Sequence, residues 1–405
     1  MTKATYDCVI AGGGLVGATQ AIALGQAGLR VAVVDKIDQR TQLDGEFDGR
    51  VSAIAHASVL ILQNTGIWGH VEEAGPIADI RVTDGESPVA LNFESEKVGD
   101  KPFGYMIENR LLRKAIFTRI QEVEAVDYIT PHSVEAVDNT PERVVITLEN
   151  GDELQAPLLL AADGRFSGIR DKLGLSHKTT GYGQTAMVAT IAHTEDHGGM
   201  AVEHFLAPGP FAILPMAGGK RSAIVWTESD EMAAYYMALD EETYLAELAE
   251  RCGGWLGDIS LAGPRFSYPL MLITTQSTIT TRAALIGDAS HAIHPIAGQG
   301  VNLGYRDVAA FTDILIERAK LGLDIGAPEV LESYARERRY DTHSMGIATD
   351  GLNRLFSTDS KLAKLARRTG LHAVEKMPTV KGFFMREAMG MRGTLPSLMQ
   401  EQDAA

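Results

Sequence analysis

The first 35 residues alternate between apolar runs and a glycine-rich turn. Residues 6–11 form a short apolar run, which predicts a buried strand. Residues 14–28 carry small apolar side chains at helical spacing and predict a helix. Residues 29–34 predict a second strand that ends at Asp35. The pattern predicts one strand, helix, strand unit of about 30 residues.

The turn between the first strand and the helix holds Gly12, Gly14 and Gly17 in the spacing G-x-G-x-x-G. In a dinucleotide site the first glycine permits a tight turn, the second lets backbone approach the pyrophosphate, and the third lets the helix pack closely. Asp35 follows where an acidic side chain accepts from ribose hydroxyls. The whole unit favours a dinucleotide site over a turn that binds nothing.

The remaining pattern predicts a nucleotide domain that is split in sequence by a sheet-rich insertion. Helices are predicted over 56–64, 111–123, 243–251 and most of the chain beyond 301. Strands are predicted at 80–84, 89–93, 144–148 and 154–160. Four more strands are expected to form one sheet, at 185–192, 200–206, 211–215 and 221–225.

A second glycine-bearing motif occupies residues 284–304. An apolar run ends in Gly287 and Asp288, and a loop with glycines then opens a helix. Such a turn places a carboxylate and several free backbone N–H groups around a polar ligand. Gly287 lies 270 residues after Gly17, so one ligand held by both motifs must be long. FAD meets that requirement.

Composition narrows the class of protein. The 405 residues are 45% hydrophobic, enough for two or three domains. A net charge of −16 argues against a nucleic-acid partner. Cys8 and Cys252 provide no disulfide framework or cysteine-based metal site, and no metal is expected. Without a signal sequence or a long apolar span, we expect a cytoplasmic protein.

Taken together, the motifs resemble those of the FAD-dependent hydroxylases of ubiquinone biosynthesis, which are para-hydroxybenzoate hydroxylase-like flavoprotein monooxygenases. The motifs that carry this resemblance are the two glycine turns, Asp163-Gly164, and residues 108–110, 182–185, 291–304 and 349–357. Such hydroxylases usually have Glu where this chain has Asp35, and often Ala where it has Ser290.

The resemblance implies an α/β fold. A discontinuous Rossmann-type FAD-binding domain would comprise residues 1–75, 101–180 and 271–345. A sheet-rich substrate domain would comprise residues 76–100 and 181–270, and residues 346–405 would form a helical C-terminal region.

The implied activity is hydroxylation of the aromatic ring of a polyprenyl phenol, with NAD(P)H and O₂, through a C4a-hydroperoxyflavin. NAD(P)H is expected to visit the flavin and leave, because the chain has one complete G-x-G-x-x-G unit. Arg165 and Arg170 are candidates for transient contact with its phosphates. Two alternatives stay open: a prenyl reductase or other flavin oxidoreductase on the same fold, and a flavin-holding scaffold subunit of a biosynthetic complex.

The resemblance also implies roles for individual residues. The cofactor-binding candidates are Gly12, Gly14, Gly17, Asp35, Arg50, Arg110, Asp163, Gly164, Asp288, Pro295, Gly298, Gly300, Val301 and Asn302. The catalytic candidates are His294, Pro295 and Gln299, with a structural hydrogen bond as the alternative for His294. The substrate candidates are Gln184, Glu203, Phe205, Phe211 and Leu214, for which plain core packing is the alternative. For Arg50 and Arg110 the alternative is a surface ion pair, and for Asp288 a helix N-cap.

The segment 361–393 has an excess of basic residues, eight against two acidic ones. With Phe383 and Phe384 nearby, it predicts peripheral contact with an anionic membrane or with other proteins of a ubiquinone-biosynthesis complex. A helical cap with a solvated basic face is the alternative.

Overall fold

The fold is organised around a sheet whose strands come from widely separated parts of the chain. The computed structural model describes residues 3–43, 49–85, 87, 90–97, 99–293, 298–339, 351, 370, 372 and 374–402. Within these ranges the sheet has six strands, in the order Ile279–Thr280, Ala283–Leu285, Leu158–Ala161, Cys8–Ala11, Val31–Val34 and Val126–Ile129. All neighbours are parallel except the first two strands. The predicted α/β architecture, discontinuous in sequence, is confirmed.

The strands at the centre of this sheet are apolar along their whole length. All residues of Cys8–Ala11, Leu158–Ala161 and Ala283–Leu285 are buried, as expected for parallel strands covered on both faces. Within the described ranges, the helices α1 to α10 are, in chain order, Leu15–Gln26, Gln39–Leu43, His56–Asn64, Asn109–Ile120, Gly168–Lys172, Asp230–Ala238, Glu241–Cys252, Gly300–Lys320, 328–339 and Pro378–Ala388, and residues 374–376 are also helical. Short 3₁₀ turns lie at Trp68–His70, Ser95–Lys97, Gly287–Ala289 and Ser397–Met399.

A second, larger sheet contains the four strands that the sequence groups together. Its order is His291–Ala292, Phe266–Thr275, His177–His193, Arg221–Ser229, Pro210–Pro215, Met200–Phe205, Asp79–Asp84 and Ala90–Glu94, with Ile259–Leu261 beside His177–His193. Most neighbours are antiparallel, and Met200–Phe205 runs parallel to Asp79–Asp84. Helices α6 and α7 pack their apolar residues on one face of this sheet. We call the opposite face, which carries Ala201, Glu203 and Leu214, the inner face.

Two smaller sheets complete the described structure. One has the order Val51–Ala55, Gly104–Glu108 and Gly75–Ile77, and the other the order Lys3–Thr5, Glu153–Ala156, Val144–Leu148 and Val134–Asn139.

The single strand expected at 154–160 is wrong. Its first part, Glu153–Ala156, pairs with Val144–Leu148, whereas Leu158–Ala161 enters the six-stranded sheet. Pro157 separates the two parts, because proline has no N–H to donate to a ladder.

Helix α3 has the predicted bounds, and α4 and α7 overlap the predicted helices. The division into domains at the stated boundaries stays a prediction. None of the helices within the described ranges is both long enough and apolar enough to cross a membrane.

Candidate functional site

The N-terminal glycine turn is fixed by close backbone contacts. Gly12 has φ +103°, and a Cβ there would lie 2.4 Å from the Ala162 carbonyl oxygen. A Cβ on Gly17 would lie 2.0 Å from the Gly12 carbonyl oxygen. A Cβ on Gly14 would meet no atom of a described residue within 4 Å, and α1 begins there without a side-chain cap. The turn therefore presents an open helix N-terminus, the geometry that binds phosphate groups.

Asp35 is bound to the same turn. Its Oδ2 accepts from the Gly13 N–H at 2.7 Å, and its Oδ1 accepts from the Ile37 N–H at 2.8 Å. A carboxylate oxygen can accept more than one hydrogen bond, so a ribose hydroxyl can still bind here. The Tyr128 hydroxyl donates to the Gly13 carbonyl oxygen at 3.0 Å. The sequence gives no local sign of Tyr128, which follows Gly13 by 115 residues.

The two glycine motifs meet in the structure. A Cβ added to Gly287 would lie 3.3 Å from the Val16 methyl groups, and one added to Gly304 would lie 2.6 Å from Val16 Cγ2. Further along the two helices, the Gln20 amide donates to the Thr312 hydroxyl at 2.9 Å. The start of α1 therefore packs directly against the Gly287 turn and α8.

A buried carboxylate organises the Gly287 turn. Asp307, on α8, is fully buried and accepts from the Gly287 N–H at 2.8 Å and the Arg338 Nε–H at 2.7 Å. Its Oδ2 also lies 2.8 Å from His291 Nε2. Burial alone would raise the pKa of Asp307, but His291 and Arg338 outweigh it and hold that pKa below its ordinary value. Sequence reasoning missed this cluster, although an acidic residue within the apolar stretch 303–312 was a usable signal.

Asp288 stands at the edge of this turn. Its side chain is 42% exposed, and Arg165 Nε lies 3.9 Å from its Oδ2. Arg170 is buried and donates to the carbonyl oxygens of Ala289 and Arg165. Arg170 therefore supports the turn from within, which contradicts the expectation that it contacts NAD(P)H phosphates. Arg165 remains at the surface.

Asp163 caps a short helix. It accepts from the Ser167 hydroxyl and from the Ile169 N–H at 3.1 Å, at the start of α5. Gly164 has φ +85° with open space around it. The Asp163 carboxylate is thus used within its own loop, and Gly164 is the part of this motif that a ligand can approach.

The loop that opens α8 is described from residue 298. Gly298 has φ +62°, and a Cβ there would lie 3.0 Å from the Ala53 Cβ. Gln299 precedes the helix, which starts at Gly300 without a side-chain cap. Among the residues that the structure describes, none has an atom within 4 Å of a Cβ placed on Gly300. Val301 is half-buried against the core. The candidates His294 and Pro295 lie outside the described residues.

Asn302 connects this loop to the strand Val51–Ala55. Its Oδ1 accepts from the Ala55 N–H at 2.9 Å, and its Nδ2 donates to the carbonyl oxygens of Ala53 and Gly298. Both protons of the Asn302 side-chain amide are therefore donated to backbone carbonyl oxygens. The Asn302 side chain thus positions Gly298, and cofactor binding through the Asn302 backbone stays a prediction.

Arg50 and Arg110 lie together at one end of the strand pair formed by Val51–Ala55 and Gly104–Glu108. The Arg50 carbonyl oxygen accepts from the Asn109 N–H at 3.0 Å, and the Arg50 side chain is exposed. Arg110 Nε donates to the buried Glu108 at 2.6 Å, and Arg221 donates to the same carboxylate at 3.0 Å. Arg110 is thus oriented by Glu108 while its side chain stays 44% exposed.

The substrate candidates divide between the two faces of the larger sheet. Residues directly opposite on paired strands share a face, and Phe211 is opposite Trp226, among the side chains that pack against α6 and α7. Phe211 is therefore core, and its assignment to a pocket is wrong. Glu203 and Leu214 are on the inner face, where Ala201 and Leu214 pack near Val51 and Ala53.

Register also places Phe205 and Gln184 on the inner face. Phe205 is buried, and the Gln184 amide donates to the Pro208 carbonyl oxygen at 2.6 Å. Ala53 thus lies in the same apolar cluster as inner-face residues and also contacts Gly298. No cluster of three or more metal-ligating side chains lies among the described residues.

The described residues fit an FAD molecule. Gly14 and Gly300 leave open space at the N-termini of α1 and α8, and both helix starts lack side-chain caps. Partial positive charge at these ends suits the pyrophosphate and the electron-rich edge of a flavin. The Val16 contact with Gly287 brings the two motifs within reach of one extended ligand.

Comparison with known proteins agrees with this geometry. A family profile described as an FAD binding domain matches residues 5–345. The ubiquinone hydroxylase UbiL of Rhodospirillum rubrum is 47% identical over 95% of this chain and 89% of its own length. The 3-demethoxyubiquinol 3-hydroxylase of Escherichia coli is 30% identical over 96% of this chain and 100% of its own length.

A solved structure, the p-nitrophenol 4-monooxygenase PnpA of Pseudomonas putida DLL-E4, matches with a TM-score of 0.78. It covers 97% of this chain and 100% of that one at 20% identity, which shows a shared fold. On these grounds the chain belongs to the FAD-binding family of flavoprotein monooxygenases that includes the ubiquinone hydroxylases.

Proposed function

We propose that this enzyme hydroxylates the aromatic ring of a polyprenyl phenol intermediate in ubiquinone biosynthesis, with NAD(P)H and O₂ as co-substrates. The observation that carries the proposal is the 47% identity to a protein named ubiquinone hydroxylase, spread over 95% of the chain. The name of the Escherichia coli relative supports a demethoxylated ubiquinol as the substrate class.

The cofactor would be held at several points along its length. The open N-terminus of α1 would receive the pyrophosphate, and Asp35 would accept from the ribose. Gly298 and Gly300 would lie along the flavin ring, with the positive end of α8 toward it. Arg50 and Arg110 would approach from the neighbouring strands. Bound FAD supplies the redox chemistry with NAD(P)H and O₂.

The protein's own contribution is to orient the phenol and to exclude water from the reacting atoms. The inner face suits this task because it is mostly apolar, with Leu214 and Phe205 beside small residues such as Ala201 and Ala212. An apolar surface with a few polar groups is typical of small-molecule sites. Gln184 and Glu203 are its candidate polar groups.

Labelled oxygen tests the reaction. The purified protein is assayed for bound FAD and then supplied with NADH or NADPH, ¹⁸O₂ and a short-chain demethoxylated ubiquinol. We expect one ¹⁸O atom in a new ring hydroxyl group, detected by mass spectrometry. NAD(P)H consumption with a reduced prenyl tail and no ring label would instead support a prenyl reductase.

Complementation tests the place in the pathway. Strains that each lack one ring-hydroxylation step receive the gene, and their quinone precursors are analysed by mass. Rescue of at least one strain supports the proposal and identifies the ring carbon. Rescue that persists in variants unable to reduce their flavin would instead support a scaffold role.

We also propose that the C-terminal region contacts an anionic membrane or a protein of the biosynthetic complex. On α10, Phe383 and Phe384 are 43% and 44% exposed, and Met377 just before it is 52% exposed. Exposed apolar side chains grouped in this way mark contact surfaces. Lys381 and Arg392 pair internally with Glu375 and Glu387, so the apolar side chains rather than these two charges support the proposal.

A further inference from the structure

A carboxyl group that has no partner among the described residues lies on the inner face. Glu203, at the centre of Met200–Phe205, is partly buried, and no hydrogen bond or ion pair reaches its side chain from any described residue. The next residue, His204, points to the other face and is bonded to Thr83 at 2.6 Å. Within the described part of the chain, the Glu203 carboxyl is therefore available on the face where the substrate is proposed to bind.

The surroundings of Glu203 are apolar and small. Register places Ala212 directly opposite it on one neighbouring strand and Val82 on the other, with Val225 beyond Ala212. Along its own strand the neighbours on the same face are Ala201 and Phe205. The two alanines, Ala201 and Ala212, thus place small side chains next to the Glu203 carboxyl.

A further polar atom on this face lacks a partner. The hydroxyl group of Thr227 is buried and has no hydrogen-bond partner within the described structure. Thr227 is opposite Ala186, which places it on the inner face with Glu203. An unpaired buried polar group is costly in free energy, so a ligand that pairs with the Thr227 hydroxyl group would gain affinity.

The inner face also lies next to the cofactor residues. Ala201, two residues before Glu203, packs in one cluster with Val51 and Ala53. Ala53 in turn accepts from Asn302 and lies against Gly298. The strand Val51–Ala55 therefore contacts the start of α8 and shares an apolar cluster with Ala201.

From this arrangement we propose that Glu203 accepts the hydroxyl proton of the phenol during hydroxylation. The O–H bond of the phenol breaks, a new O–H bond forms on the Glu203 carboxylate, and the electron pair stays on the phenolate oxygen. That negative charge raises the electron density at the ortho and para carbons, which then attack the electrophilic oxygen more readily. The proton passes to solvent after product release. This inference rests on the proposed function.

The ionisation of Glu203 agrees with such a role. Burial raises the pKa of the Glu203 carboxyl to about 7. A general base works best when its pKa lies near the working pH, and such a base contributes roughly 10²–10⁴-fold in rate.

Proton release on binding tests the proposal without turnover. FAD-loaded protein is titrated with 2-methoxyphenol at pH 7 by calorimetry in buffers of different ionisation enthalpy. A phenol that donates to the Glu203 carboxylate favours its ionised form, so we expect net proton release in the wild type and none in Glu203→Gln. 1,2-Dimethoxybenzene, which has no hydroxyl group, should release no protons from either protein. Proton uptake, or equal release by both proteins, would overturn the proposal.

Turnover then separates this proposal from the proposed function. We expect Glu203→Gln to lower kcat by about 10²-fold or more, with a smaller loss for fluorinated phenols, whose hydroxyl protons are more acidic. Glu203→Asp should recover part of the rate. Glu250→Gln, an exposed position on α7 across the sheet, should match the wild type. Full activity in Glu203→Gln would refute the role of Glu203 and leave the proposed function intact. A wild type that hydroxylates no phenol would refute the proposed function.

Discussion

Val16 lies so close to Gly304 that a methyl group on Gly304 would come within 2.6 Å of Val16 Cγ2. The two residues belong to the starts of α1 and α8. Their contact brings the N-terminal glycine turn against the Gly287 turn, and the proposed joint cofactor site depends on it. The absence of a side chain at Gly304 is thus a requirement of the site's geometry.

Gly304→Ala is expected to weaken both folding and FAD binding. Alanine favours a helix by about 1 kcal/mol over glycine, but overpacking against a stiff β-branched neighbour costs about 1–3 kcal/mol. We expect a lower thermal midpoint and a larger FAD dissociation constant, measured by flavin fluorescence. The double variant Val16→Ala/Gly304→Ala should recover both, because it removes the clash.

Gly382→Ala is the matched control for this prediction. Gly382 lies within α10, where a Cβ would meet only the Arg386 side chain, at 3.8 Å. The variant should be neutral or slightly stabilising, with unchanged FAD affinity. Equal behaviour of the two alanine variants would contradict the proposed packing.

Asp307→Asn is expected to destabilise the Gly287 turn. The substitution removes the charge that faces His291 and Arg338 inside the core, and breaking a buried ion pair costs about 3–5 kcal/mol. Chemical denaturation should show this decrease in the free energy of unfolding. The folded Asp307→Asn variant should also bind FAD less tightly than the wild type. Glu317→Gln, at an exposed position of the same helix, should leave both values unchanged.

The depressed pKa of Asp307 gives this stabilisation a direction with pH. Because the folded-state pKa lies below that of the unfolded chain, the carboxylate stabilises the fold above the unfolded pKa, near 4. The stabilisation is lost as the pH falls through the folded-state pKa. The difference between wild type and Asp307→Asn should therefore shrink at strongly acidic pH. A difference that grows on acidification would contradict this account.

Asp35→Ala is expected to weaken FAD binding at the adenosine end. It removes the acceptor of the Gly13 N–H and the proposed acceptor of the ribose, and hydrogen bonds to a charged group contribute about 1.5–3 kcal/mol. We expect at least a tenfold larger FAD dissociation constant. Tyr128→Phe should have a smaller effect, since it removes one neutral hydrogen bond to Gly13. A larger loss in Tyr128→Phe than in Asp35→Ala would contradict this ranking.

Local patterns in the sequence were enough to predict the first strand, helix, strand unit. Gly12 and Gly17 make close contacts with each other or with residues that follow the adjacent strand, and helix α1 follows directly. The strand at 154–160 failed because hydrophobicity alone does not show the change of partner at Pro157.

Tertiary contacts determined what sequence could not predict about the site. Asn302 sits in a motif that suggests cofactor binding, yet its amide is used on backbone about 250 residues away in sequence. Phe211 and Glu203 both alternate correctly for a strand, but only strand register assigns them to opposite faces. Tyr128 and Asp307 act through partners that no local pattern links to them.

Glu203→Gln is expected to become more stable than the wild type as the pH rises from 4.5 to 8. The carboxyl is protonated below about pH 4.5 in the unfolded chain and below about pH 7 in the folded one. As the pH rises from 4.5 to 7, the unfolded chain releases this proton while the folded chain keeps it, so the free energy of unfolding of the wild type falls. The free energy of unfolding of Glu203→Gln, relative to that of the wild type, should therefore increase by about 1–3 kcal/mol between pH 4.5 and pH 8.

Thermal midpoints at several pH values check this prediction. The difference between Glu203→Gln and wild type should rise through pH 7 and then level off. Glu250→Gln, the exposed control, should follow the wild type throughout. A difference that is constant with pH would show that the Glu203 carboxyl ionises normally.

Phe383→Ser/Phe384→Ser is expected to reduce binding to lipid vesicles while leaving the reaction with a short-chain soluble phenol unchanged. The two rings are exposed on α10 and lie 5.6 Å apart, so they form one apolar surface that can enter the headgroup region. We expect wild-type protein to sediment with vesicles of anionic phospholipid, and the double variant to remain mostly in the supernatant.

Leu321→Ser is the matched control, because Leu321 is 67% exposed at the end of α8. If the control loses vesicle binding equally, or if the double variant retains it, the contact surface lies elsewhere. If neither protein binds vesicles but the double variant loses activity on long-chain substrate in cell extracts, the surface contacts a protein of the complex instead.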